Sequence, residues 1–431
     1  MLVANDYRRY NYEPYAYRTK NYGKTWQRIA DERDIKSYVL CIVEDSIEPN
    51  LMFLGADDGL YMSIDAGENW NKWTEGFPTV PVKDLVIHPR EQDLIIGTFG
   101  RAAWVLDDIK PLRAMASAKE ILNQNIKLFE PPTAYQAAYQ QPTGTRFGGD
   151  ALYHGTNRAY GAKFSYLFNS TYENKNDSLC KVDSLKLQIF DGERLIRTLK
   201  RKQPIENGIH HWMWYMDEKG VEWPSKKIRK SKSEPSGITV LPGLYKAVIS
   251  YGDFKSQQFI EVKSDPRLNK NQKKLLEVYQ RLKLLESYQF AAAKATKQLS
   301  VSKEIGKKYL GILNKKGKQI HSKEIELTKK TIKKIDEIFV LFFGKDDKRQ
   351  GITAEPSGYV QDGLRTTINY VSSRQNGLTQ TEQLLTNNLK NNLEKAIKVV
   401  NTFFENEWLD FKAAVETVDL SPFVEVEVIK L

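Results

Sequence analysis

The sequence predicts a multidomain protein of mixed β and α structure, in which a partial β-propeller is followed by a β-sandwich and a C-terminal antiparallel helical bundle. Three observations carry that prediction. An eight-residue pattern occurs twice, as Thr19-Lys20-Asn21-Tyr22-Gly23-Lys24-Thr25-Trp26 and, 44 residues later, as Ser63-Ile64-Asp65-Ala66-Gly67-Glu68-Asn69-Trp70. Short runs of alternating polarity with turn signals between them continue to about residue 264. Beyond Ser264-Asp265-Pro266-Arg267 the apolar period changes from two to about 3.6.

Each copy of the pattern reads small hydroxyl, spacer, Asx, spacer, Gly, spacer, polar, Trp. An Asx side chain accepts hydrogen bonds from amides further along a tight turn, and Gly supplies backbone angles that other residues reach only at a cost. The pattern is similar to the Asp-box of sialidase-like and sortilin-like β-propellers, so Thr19, Asn21, Gly23, Thr25, Trp26, Ser63, Asp65, Gly67 and Trp70 are expected to be structural. A calcium or sugar ligand at Asp65 is the sharper alternative and the weaker one.

Around the second copy the chain supplies one four-stranded blade: Val39 to Val43, Leu51 to Gly55, Leu60 to Ser63 and Asn69 to Trp73. A further unit follows with Val82 to His88, Asp93 to Gly97 and Ala102 to Leu106. Before Val39 only Tyr15 to Arg18 and Thr25 to Ile29 read as strands. The count is about two and a half blades, whereas closed propellers have roughly four to eight, so residues 1–113 are expected to need upstream blades to close a ring.

A short helix from about Pro111 to Asn123 and an extended linker through Leu128-Phe129-Glu130-Pro131-Pro132 and Gly144 to Gly149 are expected over residues 114–149. Over residues 150–264 the runs Lys163 to Phe168, Leu185 to Phe190, Leu195 to Leu199, Ile209 to Tyr215, Gly243 to Ile249 and Gln257 to Val262 predict an immunoglobulin-like sandwich. Residues 265–431 carry helical stripes. Leu275, Val278, Leu282 and Leu285 form one, and Ile332, Ile335, Phe339 and Phe342 another. Leu385, Leu389, Leu393, Ile397, Val400, Phe404, Trp408 and Phe411 predict a single helix of about 35 residues. Gly344 to Gly377 reads as an irregular connection, and Val424 to Val428 as a terminal strand.

Composition limits the functional classes. At 431 residues, with 41% hydrophobic and 28% charged residues, the chain is long enough for two to four domains and is not globally disordered. Its net charge of +11 is concentrated in the second half, at Lys226-Lys227-Ile228-Arg229-Lys230-Ser231-Lys232 and Lys315-Lys316-Gly317-Lys318. Such runs suit a polyanion or a solvated surface, but no aromatic-interleaved motif, zinc finger or recognition helix supports specific nucleic-acid binding. The two cysteines, Cys41 and Cys180, and the five histidines have no metal-ligand spacing, so no metal or cofactor is expected. No stretch is long and apolar enough to span a membrane, and the start Met1-Leu2-Val3-Ala4-Asn5-Asp6 has no signal-peptide pattern.

The chain resembles the C-terminal part of bacterial sortilin-type Asp-box proteins labelled glycosyl hydrolases. The two boxes carry the resemblance, with His88-Pro89-Arg90, the stretch Gly97-Thr98-Phe99-Gly100-Arg101-Ala102-Ala103-Trp104-Val105-Leu106-Asp107-Asp108, and an FlgD-like sandwich pattern at Leu187 to Gly192, Ile196 to Leu199 and Leu241-Pro242-Gly243-Leu244-Tyr245. It implies an extracytoplasmic location and either a binding role or a glycosidase whose acids lie in upstream blades.

Glycoside hydrolysis needs two carboxylates about 5 to 9.5 Å apart. Asp57-Asp58 and Asp107-Asp108 are the paired carboxylates on loops. The first pair fits a turn before Gly59, and Asp108 fits a helix cap, so no catalytic residue is assigned. Arg101, Trp104 and Asp107 are the candidate ligand-binding residues, because a guanidinium beside an indole suits carboxylates or sugars. Trp104 is core instead if it faces a neighbouring sheet. Trp212, Trp214 and Trp223 suit sugar stacking or a sandwich core. The expected partners are a protein or polysaccharide ligand and upstream propeller blades.

Overall fold

The computed structural model describes residues 1–137, 158–169, 184–204, 206–228, 233–269, 271–316, 319–345, 358–374 and 376–418. It forms two compact units. One holds residues 1–216 and 242–266 and, among its described residues, is β apart from one short α-helix and 3-10 turns. The other holds residues 217–241 and 267–431 and is mainly helical.

Three small antiparallel sheets open the β unit. The first is β1 (Leu2–Asp6), β2 (Asn11–Arg18) and β3 (Gln27–Ala30), in that order. The second is β4 (Val39–Glu44), β5 (Met52–Ala56), β6 (Gly59–Ser63) and β7 (Asn71–Lys72). β8 (Val82–Ile87), β9 (Leu94–Thr98) and β10 (Ala103–Leu106) make the third. The first sheet exceeds its predicted content, because β1 pairs Leu2 with Tyr17 and Ala4 with Tyr15.

Alternation decides how these sheets stack, since neighbouring residues point to opposite faces. Leu54 and Tyr61 lie opposite each other on one face of the second sheet and join Ala16, Ile29 and Ala30 of the first in one buried cluster. Phe53 and Leu60 point the other way and pack with Val82, Leu85, Leu94 and Ile96 of the third. Leu112 and Met115 of α1 (Lys110–Ser117) extend that second cluster. A 3-10 turn over Lys119–Asn123 follows.

Two further sheets face each other in the same unit. β11 (Ile126–Leu128), β13 (Ala162–Phe168) and β16 (Gly208–Trp214) form one. The other runs β12 (Ala134–Gln136), β20 (Phe254–Ser264), β19 (Gly243–Tyr251), β14 (Ser184–Asp191) and β15 (Arg194–Lys202). Their core interdigitates aromatic rings from both sides, with Phe168 edge-on to Tyr251 at 5.1 Å and Trp214 edge-on to Tyr245 at 5.6 Å. The linker expected through Leu128 is in part sheet: Leu128 pairs with Tyr166, and Ala134 pairs parallel with Val262. Buried Leu128, Phe129 and Ala134 explain why this stretch is not a free tether. Its Gly144 to Gly149 portion lies outside the described residues.

In the helical unit, β17 (Asp217–Lys219) and β18 (Ser236–Thr239) make a hairpin that packs on α2 (Gln272–Lys316). The buried Glu218 carboxylate accepts from Tyr279 and lies 3.0 Å from the Lys283 ammonium. α3 (Ser322–Phe343), α4 (Val360–Ser372), α5 (Gln380–Glu405) and α6 (Glu407–Glu416) complete the unit among the described residues. Leu285, Leu299, Ile335, Phe339, Leu364, Leu389 and Val400 share its core.

Two helical expectations change. The single helix of about 35 residues predicted from Leu385 to Phe411 is broken at Asn406, where φ is −122° and ψ −86°. The Asn406 side-chain amide donates to the Thr402 carbonyl at 2.9 Å, a local bond that competes with the helix ladder. Trp408 still stacks beside Phe403 and Phe411, so the apolar stripe survives the break that it conceals. The connection from Gly344 to Gly377 contains α4, whose buried face is Val360, Leu364, Thr367 and Val371. A threonine in the stripe and a glycine beside it hide the helical period. The start of α5 is a capping box in which Thr379 and Glu382 satisfy each other's amides; the Thr379 hydroxyl above all, with Arg374 and the Thr379 amide, holds the Glu382 carboxyl down at about 2. The tail strand expected at Val424 to Val428 lies outside the described residues.

Candidate functional site

The two repeats fold into the same turn. In the first, Tyr22 and Gly23 have φ of 56° and 85°; in the second, Ala66 and Gly67 have φ of 61° and 87°. The hydroxyl of Thr19 accepts from the Gly23 amide at 2.9 Å, as that of Ser63 does from the Gly67 amide at 2.9 Å. Asn21 Oδ1 takes the Thr25 amide at 2.9 Å, and Asp65 Oδ1 takes the Asn69 amide at 2.9 Å. Every polar side chain of the pattern is thus turned inward on the turn. Burial pushes the Asp65 carboxyl up, but bonds from Asn69 and Ser63 and the Lys119 charge outweigh it and leave it below the usual carboxylate range.

The tryptophans part company. Trp70 is 5% exposed, and its indole donates to the Ile29 carbonyl of the first sheet at 2.6 Å, while its amide donates to Asp34 at 3.1 Å. Trp26 is 45% exposed, and its indole donates back to Gly23 of its own turn at 3.1 Å.

The paired carboxylates are engaged. Asp57 accepts from Tyr38 at 2.7 Å, and that bond pushes the Tyr38 phenol up to about 12. Asp58 accepts from Tyr61 at 2.9 Å and from Lys72 at 2.6 Å. Asp107 lies 3.4 Å from Arg158, which also binds Glu91 at 3.1 Å and Asp93. The cap expected of Asp108 moves by one residue. Ile109 holds the N-cap of α1 without a side-chain bond, and Asp108, at φ 59°, reaches only the Lys110 amide at 3.4 Å. Burial raises the Asp108 carboxyl, while its amide donates to Asp93 at 2.9 Å.

Sequence reasoning missed Glu91, Asp93 and Arg158. The arginine is 65 residues from Asp93, beyond a stretch with no motif, so no local spacing announces the cluster.

Arg101 and Trp104 separate in role. Trp104 lies on the face shared with Leu85 and Ile96, meets Phe77 edge-on at 5.4 Å and donates to the Arg101 carbonyl at 2.9 Å. Its alternation therefore places it against the apolar cluster. Arg101 is exposed on the β9–β10 turn with Phe99, which is 71% exposed and has the Lys83 ammonium 5.7 Å from its ring centre. The turn presents one cation and one aromatic face, and Lys83 of β8 brings a second cation to that ring. Trp212 and Trp214 are buried between the facing sheets, while Trp223 lies in the helical unit and lines a cleft of about 200 Å³ with Lys227 and Lys297. A neighbouring cleft of about 320 Å³ is lined by Lys226, Lys227, Lys303, Lys307, Ser300 and Phe339.

Residues 15–111 match the Sortilin-Vps10 family model, described as sortilin, neurotensin receptor 3. The matched segment runs from within β2 to the start of α1 and so contains both repeats and the Arg101 turn. Neither the curated proteins nor the solved structures gave a match to the chain. Among the described residues, no helix is long and apolar enough to cross a membrane. Nor do three or more His, Cys, Asp or Glu side chains there converge as they would to hold a metal.

Proposed function

We propose that this chain is a non-catalytic binding or scaffold segment of an exported sortilin-like Asp-box propeller protein, with residues 1–113 as propeller blades, an immunoglobulin-like sandwich that reaches from β11 to β20 but gives up residues 217–241, and a C-terminal helical bundle that takes that segment in. The observation that carries the reading is the use made of carboxylates in the sortilin-matching segment. Asp65 closes a turn, Asp57 and Asp58 hold tyrosines and a lysine, and Asp107 shares Arg158 with Glu91 and Asp93. A glycosidase needs a pair of carboxylates free to exchange protons with substrate and water, and of these four only Asp107 is exposed.

The ligand contact in this reading is the β9–β10 turn. Arg101 and Lys83 with the open ring of Phe99 suit a carboxylate-bearing protein segment or acidic polysaccharide, because guanidinium binds carboxylate in a bidentate fork and an aromatic face packs against peptide or sugar. Arrays of acidic peptides and uronate glycans test this. Binding should fall about tenfold on Arg101→Ala, the size of a lost charge-assisted bond. Hydrolysis of a bound glycan that disappears in Asp57→Asn or Asp107→Asn would replace the binding reading with a glycosidase.

A further inference from the structure

We propose that the outer side of the first sheet is a docking face for a further sheet of the same repeat type, with Trp26 as its anchor. The inference rests on the reading of residues 1–113 as stacked propeller sheets and adds where, and against what, the stack continues.

The second sheet shows what such a face looks like when it is covered. Leu54 opposes Tyr61 across β5 and β6, Trp70 closes the repeat beside them, and the three are 0%, 2% and 5% exposed against the first sheet. The register of the repeats puts Tyr17 at the place of Tyr61 and Trp26 at that of Trp70, and Leu2 opposes Tyr17 as Leu54 opposes Tyr61. Ala16 points into the cluster shared with the second sheet, so Tyr17 and Leu2 point away from it. There Leu2 is 46% and Trp26 45% exposed. The two sheets therefore hold the same apolar triad, once buried by a neighbour and once with Leu2 and Trp26 open and Tyr17 half-buried.

The chemistry of the occupant follows from the contact already made. Ile29 offers its carbonyl to the Trp70 indole, Asp34 takes the Trp70 amide, and a Cβ placed on Gly67 would lie 3.1 Å from Ile29. The partner must present a branched aliphatic residue with a free carbonyl and, five residues on, a carboxylate. It also has a strand to add. The second sheet has four strands with β4 outside β5, whereas β1, in the place of β5, is an edge. The occupant is thus a sheet resembling the first, followed by a strand resembling β4, from polypeptide outside the described residues.

The test is an extended chain in which residues 1–52 are copied ahead of Met1, which gives Leu2 the register of Leu54 and offers Trp26 a copy of Ile29 and Asp34. Hydroxyl-radical oxidation of each indole is read by peptide mass spectrometry. In the original chain Trp26 should oxidise about fivefold faster than Trp70, and in the extended chain it should slow to the Trp70 rate while the β1 amides gain exchange protection. Ile29→Asp in the added copy should restore fast oxidation. Unchanged Trp26 oxidation in the extended chain overturns the proposal. So does Trp26 protection that grows with concentration of the original chain alongside a sedimenting dimer, since the occupant is then a second copy. Trp26→Glu in the original chain serves if the added copy does not fold. It should leave the melting temperature unchanged, and a fall as large as that of Trp70→Glu assigns Trp26 a role inside the present fold and overturns the docking face. Peptide and glycan binding enter none of these readouts, so they fail independently of the proposed ligand contact.

Discussion

The first and second repeats share residue pattern, backbone angles and hydrogen bonds, yet Trp26 lies open while Trp70 is buried. The turn is a local object, completed by side chains two and four residues apart. The tryptophan is a tertiary one, and its fate is decided by whether another sheet offers it a carbonyl and an apolar wall. Local hydrogen bonds hold the hairpin, and the neighbouring sheet converts it into core.

The largest expected break of the comparison is at the tryptophans. Trp70→Ala should destabilise the β unit by about 3–5 kcal/mol, the range for a buried large aromatic, whereas Trp26→Ala should cost under about 1 kcal/mol in urea unfolding. Next comes the Asx position. Asp65→Ala removes charge-assisted bonds to the Asn69 amide and side chain and should cost about 1.5–3 kcal/mol, while Asn21→Ala removes neutral ones and should cost about 1 kcal/mol.

The glycines give a smaller contrast. Gly23→Ala and Gly67→Ala each place a side chain at positive φ, costing about 1 kcal/mol. Gly67→Ala should cost more, because its Cβ would also press on Ile29, and the excess should vanish in Ile29→Ala. The smallest effect is pH dependence. The folded Asp65 carboxyl is lowered from its ordinary 3.8, so its contribution is complete above that pH and is lost as pH falls through the lower folded value. Acid unfolding below pH 3.8 should therefore become shallower in Asp65→Asn. Changes at Asn21, which has no proton to gain, should leave the slope alone.

Legibility followed the range of the interactions. Both repeats, the β4 to β7 strands and the stripes of α2, α3 and α5 were readable, because Gly, Asx and apolar period act within a turn or two. The role of Leu128 and Ala134 as strands was not, since their partners Tyr166 and Val262 lie far along the chain. Nor was the break at Asn406, because a stripe reports which side chains are buried and is silent on one unwound residue. The candidate site divided in the same way. Alternation left Trp104 open between ligand and core until the sheet it faces was known, and the Glu91, Asp93, Asp107 and Arg158 cluster needed the folded chain to bring its arginine back to the third sheet.

By itself the sequence determined the two hairpin turns, the change from β to α beyond Pro266 and the equivalence of Trp26 and Trp70 at the close of the two repeats. Only the tertiary structure decided that Leu2 pairs with Tyr17, that Trp70 is core and that Trp26 is surface. Hydrogen bonds inside a turn need no neighbour, whereas burial of an apolar face is a property of two surfaces.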